Sequence, residues 1–259
     1  TSIASSLFSL IFLSFGFLRM GTVGMVAQAH GSKQYNEIVD LVFRNITFVI
    51  VISLLLIFLQ NFIFNLGLQI FDLSNDTKKY FKDYFYIRIY SSFGELTIYV
   101  ITGLFIGLQK TKISSVMIGF FSITNIIFSL FFVLYFKLNV TGVALGTLVS
   151  STLTSFIFLI YTFFELKKLT NINFDIKKIF DIKKIQNIFN INFNIFIRSV
   201  LLTFSFLFFT YLGNTISEDI VAANTILINL IFLSAFILDA YAFSTEGIVG
   251  YSIGSKNIT

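Results

Sequence analysis

Seven long apolar stretches dominate this 259-residue sequence and restrict what it can fold into. Each holds roughly twenty predominantly apolar residues, which as a helix is the length that crosses the hydrocarbon core of a bilayer. We predict spans at 3–27, 46–66, 84–108, 115–136, 142–164, 194–212 and 222–250. Only 12% of the residues are charged, against about 25% in an ordinary soluble domain. The sequence therefore predicts an all-α polytopic membrane protein.

The sequence contains no proline, so the most common cause of a sharp bend in a helix is missing. We therefore expect any bends in the predicted spans to occur at glycines that interrupt or weaken the helix. The candidates are Gly16, Gly21, Gly24, Gly103 and Gly107.

A short internal repeat relates two of these spans. The eleven residues 24–34 recur at 247–257 with five identities, and both copies end an apolar stretch with Gly-Ser-Lys. Six spans lie in one period, so both copies have the same orientation across the membrane. Parallel repeats of this kind are typical of transporters and predict a parent of twelve spans. Because the sequence opens inside one apolar stretch and ends just after another, we expect a fragment with spans two to eight.

The basic residues predict the orientation of the spans. Over alternate connections, eleven lie on one side of the membrane and four on the other, and the richer side is expected to be cytoplasmic. The longest basic connection, 165–190, is predicted to be a cytoplasmic connector. It could form an amphipathic helix on the inner leaflet or a solvated charged loop. It separates an amino-terminal lobe at 1–164, lacking its first span, from the start of a carboxy-terminal lobe at 191–259.

Six ionisable residues fall within the predicted spans, where each costs roughly 2.5–3.5 kcal/mol at a helix centre. They are Arg19, Arg88, Glu95, Arg198, Asp239 and Glu246. Asp239 and Glu246 lie two helical turns apart on one face, about 10 Å along the axis. This spacing favours a proton or cation relay, and the alternative is a structural ion pair with Arg198. Arg88 and Glu95 also share a face, and we expect them to form a structural pair.

Other polar residues add one candidate and exclude several kinds of protein. Asn125 and Ser129 are i, i+4 neighbours in an apolar span, where they could join helices or coordinate a cation. The chain has no Cys, one His, and no nucleophile or phosphate-binding motif. We therefore predict no catalytic residue, no metal site and no enzyme activity. An intramembrane enzyme that uses Asp239 and Glu246 is the disfavoured alternative.

Several segments, taken in chain order, resemble the multidrug and toxic compound extrusion (MATE) transporters, specifically their DinF-like branch. These segments are 17–29, 87–89 with Gly103, Gly107 and Gln109, 125–126, 142–147, 196–199, 222–224 and 238–246. The resemblance covers nearly the whole chain. It implies a MATE-like helical bundle of two six-span lobes, of which about seven spans are present here.

The resemblance also implies a function. Protons or sodium ions would enter while organic, often cationic, compounds leave, as the two lobes rock between two states. The expected partners are small organic xenobiotics and the lipid bilayer, with no nucleic acid and no cofactor besides the coupling ion, H⁺ or Na⁺. The expected location is the bacterial inner membrane, and the expected state is a monomer.

The chain departs from the family pattern at one expected site. The family has an Asn and, one turn later, an Asp in its fifth span, whereas this chain keeps Asn125 but has Ser129 in the acidic position. We hypothesise that Glu95 supplies the missing carboxylate from the adjacent helix. Asp239 and Glu246 match the family's eighth-span Asp and Glu, and they are expected to line a second-lobe cavity and help to bind cations.

A related function stays open at this point. A lipid-linked oligosaccharide flippase or polysaccharide exporter of the same superfamily would share the two lobes but move a large amphipathic substrate. A cationic cavity would favour it, and Arg19, Arg88 and Arg198 could supply the charge, as structural partners or as part of the pathway.

Overall fold

The computed structural model describes residues 2–70, 75–170, 181–216 and 218–256, which form helices and no strand. The helices are α1 (Ser2–Ser14), α2 (Phe17–Gly31), α3 (Tyr35–Phe58), α4 (Gln60–Ile70), α5 (Asn75–Arg88), α6 (Ser92–Gly107), α7 (Thr111–Leu130), α8 (Asn139–Leu169), α9 (Ile182–Ile216) and α10 (Glu218–Ser255). A 3-10 turn at Ile89–Ser91 joins α5 to α6, and a π turn at Phe131–Tyr135 follows α7.

Seven helical segments of the described residues are long and apolar enough to cross a membrane. They are Leu7–Gly31, Tyr35–Phe58, Thr77–Gly107, Thr111–Tyr135, Asn139–Leu169, Ile182–Phe206 and Ile226–Ser255. Each overlaps one predicted span, so the predicted fold class and its seven spans are confirmed. The ends differ by several residues, because a helix can continue beyond its apolar part where its polar residues form ion pairs.

The start of α3 shows this effect most clearly. The helix begins at Tyr35, whereas the predicted span begins at residue 46. Its first turns balance their own charges, since Arg44 Nη1 lies 2.8 Å from Glu37 Oε1 and Arg44 Nη2 lies 3.7 Å from Asp40 Oδ2. Arg44 is only 2% exposed. A charged segment that pairs internally can be buried as helix, where unpaired charges could not.

The first span is interrupted at Gly16. The amide of Phe15 donates to the carbonyl of Phe12, and the amide of Gly16 to that of Leu13, each at 3.0 Å. These short-range bonds replace the helical ladder between α1 and α2. The helix is thus interrupted at one of the glycines named from the sequence, and a bend at this position stays a prediction.

Gly103 and Gly107 serve packing instead of bending, because both lie within the uninterrupted α6. A Cβ at Gly103 would come within 2.6 Å of the Arg19 carbonyl oxygen, and one at Gly107 within 2.8 Å of Val26 Cβ. Two glycines one turn apart therefore let α2 approach α6 closely, as small residues do between membrane helices.

The core of the described residues lies around α6, which packs against α2, α3, α7 and α8 and is mostly buried. Helices α9 and α10 instead expose many large apolar side chains. The predicted connector at 165–190 overlaps the end of α8 and the beginning of α9. Its middle, 171–180, lies outside the described residues, so the amphipathic helix there and the lobe boundaries at 164 and 191 stay predictions.

Candidate functional site

The two copies of the sequence repeat lie against each other, at the ends of α2 and α10. A Cβ at Gly250 would come within 2.7 Å of the Cβ of Ala27. These two residues are counterparts in the repeat, each being the fourth residue of its copy. A residue that contacts its own counterpart lies near a local two-fold axis. We call this contact between α2 and α10 the seam.

Reciprocal contacts continue the seam on both sides of that axis. A Cβ at Gly31 would overlap the carbonyl oxygen of Tyr251, and a Cβ at Gly254 would overlap the carbonyl oxygen of Gln28. Gly31 and Gly254 are counterparts, as are Gln28 and Tyr251. Each glycine therefore leaves room for a backbone carbonyl of the other helix, Gly31 for that of Tyr251 and Gly254 for that of Gln28. The two helices pack symmetrically.

The repeat is also visible in the backbone where the two helices end. Lys33 has a φ of 58° and its counterpart Lys256 a φ of 57°. Ser32 Oγ donates to the carbonyl oxygen of Ala29 at 3.2 Å, and Ser255 Oγ to that of the counterpart Ser252 at 3.1 Å. The shared Gly-Ser-Lys therefore ends both helices by similar turns. The parallel repeat predicted from the sequence is a structural repeat.

Farther along the seam, a long side chain replaces the close backbone contact. A Cβ at Gly24 would meet nothing within 4 Å, which shows that this face of α2 is open. About one and a half turns earlier, Arg19 extends to α10 and places its Cζ 4.0 Å from the ring centroid of Phe243. Arg19 also interacts electrostatically with Asp239 and Glu246. The structure thus brings together residues that precede the two copies, which the sequence could not connect.

The α10 carboxylates lie on this open part of the seam without an ion pair. Within the part of the chain that the structure describes, neither Asp239 nor Glu246 has a basic nitrogen within 4 Å. Asp239 is exposed, whereas Oε2 of Glu246 is buried and has no hydrogen-bond partner. Arg198, on α9, interacts electrostatically with Glu246 at longer range. The structural ion pair with Arg198 that the sequence left open is therefore not formed here.

A second charge cluster lies inside the first lobe. Arg88 and Glu95 form an ion pair, with side chains only 11% and 12% exposed. The 3-10 turn between them brings Ser91 into contact with both, as its Oγ accepts from Arg88 and donates to Glu95 Oε1 at 3.2 Å. The guanidinium also lies 5.3 Å from the ring centroid of Phe8 and 5.1 Å from that of Phe12. Arg88 and Glu95 therefore form the pair that their spacing predicts.

This pair lines a cavity of about 390 Å³ in the first lobe. Asn125 of α7 lines the same cavity, and its Nδ2 donates to Ser150 Oγ at 3.2 Å. Ser129 does not line it, because it packs against Gly146 of α8, where its Oγ is buried without a hydrogen-bond partner. The structure thus brings Glu95 and Asn125 together and separates Ser129 from them.

A third charge cluster, not predicted from the sequence, joins the two lobes at the predicted cytoplasmic end. Glu37 of α3 pairs with the buried Arg44 of its own helix and also with Lys184 of α9. Beside this cluster lies a cavity of about 460 Å³, whose lining includes Gln28 and Gly254 from the seam. The spacing of Glu37 and Arg44 on one helix face could have revealed the first contact. No local pattern reveals the second.

Comparisons with known proteins agree with this architecture. The family described as MatE matches residues 1–131. The DNA damage-inducible protein F of Escherichia coli (strain K12) is 27% identical over 249 residues, which cover 96% of this chain and 54% of that protein. The chain therefore spans about half the length of this curated relative.

Solved structures share the fold at low sequence identity. A MATE structure in complex with MaD3S has a TM-score of 0.85 at 18% identity and covers 98% of this chain and 58% of its own. A multidrug resistance MATE family transporter of the MOP superfamily, in an outward-facing conformation, has a TM-score of 0.86 at 17% identity, covering 99% and 57%. These matches establish a MATE-type helical fold for the described residues.

Proposed function

This chain belongs to the MatE family of membrane transporters, and from that premise we propose that it carries a cation site for the efflux of organic, often cationic, compounds. Protons or sodium ions would enter as the compounds leave. The observation that carries the proposal is the pair of α10 carboxylates, Asp239 and Glu246, which lie on the seam between the lobes without an ion pair.

The physical argument concerns the state of charge of these carboxylates. An ionised carboxylate among apolar helices is unfavourable unless a proton, a cation or a hydrogen-bond donor compensates it. Glu246 Oε2 is buried and has no such donor among the described residues. A proton or a cation would therefore bind at this position with a large gain. Coupled transport requires such a group, whose charge is compensated when the transported ion binds.

The seam supplies the second requirement, a contact that can open and close. Its closed end lies beside Gly-Ser-Lys, at the end that the basic residues predict to be cytoplasmic, and it consists of close contacts such as those of Ala27 with Gly250. Small residues bring little side-chain interlocking, so the helices can separate without unpacking a core. We propose that the lobes rock about this seam and expose Asp239 and Glu246 to one side of the membrane at a time.

The first-lobe cavity is a secondary candidate for the cation pathway. Glu95 and Asn125 line it together, which supports the hypothesis that Glu95 replaces the missing fifth-span carboxylate. Because Arg88 already neutralises Glu95, a cation would have to displace the guanidinium there. We therefore assign this cavity the smaller part in coupling. Ser129, which packs away from it, would act only by joining α7 to α8.

The proposal also covers the location, orientation and oligomeric state of the protein. The seven spans would lie in the bacterial inner membrane, with the connector at 165–190 on the cytoplasmic side, in a monomer. The alternative of a lipid-linked oligosaccharide flippase or polysaccharide exporter is not favoured, since the related solved structures include a multidrug resistance transporter.

The proposal is tested by ethidium efflux from vesicles that contain the full-length gene product, under separate proton and sodium gradients. Asp239→Asn and Glu246→Gln should each lower the gradient-driven rate on the order of tenfold, which corresponds to about 1.4 kcal/mol. The amount of protein in the membrane should not change, because neither carboxylate is part of an ion pair. The matched control is Thr245→Val, an exposed neighbour on α10. Normal efflux by both carboxylate variants would refute the proposal.

A further inference from the structure

We propose that Arg19 of α2 is a resident counter-cation for the two α10 carboxylates, so that a transported cation binds Asp239 and Glu246 only by displacing the guanidinium. The inference rests on the proposed function, which makes these carboxylates the cation site. It adds to that site a residue of the opposite lobe, whose positive charge is expected to weaken the binding of divalent cations more than that of monovalent ones.

The contact of Arg19 with Phe243 places its charge between the two carboxylates. The 4.0 Å from Cζ to the ring centroid is well within the range of a cation–π interaction. Phe243 follows Asp239 by four residues and precedes Glu246 by three, so all three side chains share one face of α10. A guanidinium held on this ring therefore lies over the stretch of helix that connects the two carboxylates.

Arg19 and Glu246 each have one hydrogen-bonding atom that is unused within the described residues. Nε of Arg19 and Oε2 of Glu246 are each buried without a hydrogen-bond partner in the described part of the chain. The two groups carry opposite charge, belong to opposite lobes and interact electrostatically. Leaving such atoms unsatisfied is unfavourable. The guanidinium is therefore close enough to stabilise the carboxylate but is not locked in an ion pair, which leaves it displaceable.

The backbone of Arg19 is fixed to the first lobe. Its carbonyl oxygen lies so close to Gly103 of α6 that a Cβ there would come within 2.6 Å. When the lobes move relative to each other, the guanidinium therefore moves with α2 and α6, and the carboxylates move with α10. The counter-charge is then close to the carboxylates in one state and withdrawn in the other. A cation would bind best in the state from which Arg19 is withdrawn.

The charges of the seam are not repeated with the rest of the motif. The counterpart of Arg19 in the second copy is Ala242, and the counterpart of Glu246 in the first copy is Val23. Each lobe thus contributes one sign of charge to an otherwise symmetric contact. This asymmetry places the positive charge of Arg19 in one lobe opposite the carboxylates of the other. A fully symmetric seam would instead place like charges opposite each other, and they would repel.

The charge of Arg19 discriminates between ligands. Ionised Asp239 and Glu246 attract any cation, but a divalent cation meets twice the repulsion from the guanidinium that a monovalent cation meets. Arg19 is therefore expected to weaken the binding of divalent cations more than that of monovalent ones. Arg198 also interacts with Glu246, but it lies on α9, next to α10 in the chain. It is therefore expected to move with the carboxylates.

The test is calorimetric titration of the purified full-length gene product with tetraphenylphosphonium, a monovalent organic cation, and with methyl viologen, a divalent one. Arg19→Gln should lower the Kd for methyl viologen at least about tenfold, or 1.4 kcal/mol, and should lower the Kd for tetraphenylphosphonium less. Arg19→Lys, which keeps the charge, should bind both probes as the unchanged protein does. Phe243→Leu, which releases the guanidinium from the ring, should shift both constants in the same direction as Arg19→Gln.

The control is the same substitution in an Asp239→Asn/Glu246→Gln background. There Arg19→Gln should have no further effect on either Kd, because the guanidinium has no charge to compensate. An unchanged or raised Kd for methyl viologen in Arg19→Gln would overturn the inference. So would an equal loss of binding and Tm in both backgrounds, which indicates a structural role. If the double variant itself retains gradient-driven efflux, the proposed function fails as well.

Discussion

Two pairs of charged residues in this molecule have the same spacing in the sequence and opposite outcomes. Arg88 and Glu95 are seven residues apart, and so are Asp239 and Glu246. The first pair has opposite signs, so it is neutralised within its own lobe, with Ser91 and two phenylalanine rings around it. The second pair has like signs, and in the proposed mechanism Arg19 of the other lobe compensates part of its charge.

The difference shows what makes a buried charge available for transport. A pair that closes within one rigid lobe is unaffected when lobes move, and it contributes to the stability of that lobe. A pair that must find its compensation across a moving contact changes its surroundings in every cycle. Under the proposed function, the position of the partner, within a lobe or across the seam, is therefore what separates structural charges from functional ones.

The largest expected effect comes from breaking the pair inside the first lobe. Glu95→Gln would leave the buried guanidinium of Arg88 without its carboxylate, which typically costs about 3 kcal/mol. We expect a marked fall in the Tm of the purified protein, and recovery of most of it in Arg88→Gln/Glu95→Gln. An unchanged Tm in the single variant would remove the structural side of the comparison. Undiminished efflux per folded molecule would instead exclude Glu95 from the cation pathway.

A smaller effect is expected from widening the closed end of the seam. A Cβ at Gly254 would overlap the carbonyl oxygen of Gln28, whereas a Cβ at Gly24 would meet nothing within 4 Å. Gly254→Ala should therefore hold the cytoplasmic end apart and lower efflux, and Gly24→Ala should not. Because the chain has no Cys, a single Cys at Ser32 can report the opening by its rate of thiol labelling. Equal labelling in both variants would mean that the seam does not close this end.

The smallest of these effects concerns the charge cluster that spans both regions. Glu37 pairs with Arg44 inside the first lobe and with Lys184 of α9, and its side chain is 24% exposed. Glu37→Gln should lower stability by about 1–2 kcal/mol, because Arg44 keeps Asp40 as a partner. Lys184→Gln should leave stability nearly unchanged and increase labelling at the same cytoplasmic position. If Lys184→Gln lowered stability more than Glu37→Gln did, Glu37 would act through its contact with α9 more than through its pair with Arg44.

Much of this arrangement follows from local sequence. Apolar length identified the seven spans, and the spacing of Arg88 and Glu95 identified their ion pair, because both depend only on helix geometry. The repeat identified the counterparts Gly31 and Gly254, but not that they lie in one contact, since helix periodicity carries no information on which distant helix is the neighbour. The ion pair of Glu37 with Lys184 and the contact of Arg19 with Phe243 each join distant helices, and they could not be predicted for the same reason.

The early start of α3 was missed, and the role of Ser129 was left open, for a related cause. The predicted span begins at residue 46, whereas burial of Arg44 with Glu37 and Asp40 extends the helix to Tyr35. Ser129 shares a helix face with Asn125, and both contact α8, Asn125 at Ser150 beside the cavity and Ser129 at Gly146. In both cases tertiary contacts decided what local pattern left undetermined.

The most direct test of the central claim compares two double variants in one assay, ethidium efflux per folded molecule under an imposed proton or sodium gradient. Asp239→Asn/Glu246→Gln should lose its response to the gradient and fall on the order of tenfold or more, or at least about 1.4 kcal/mol. Arg88→Gln/Glu95→Gln, with its charges removed as a pair, should keep the larger part of its rate. Retained coupling in the first variant together with lost coupling in the second would contradict the account.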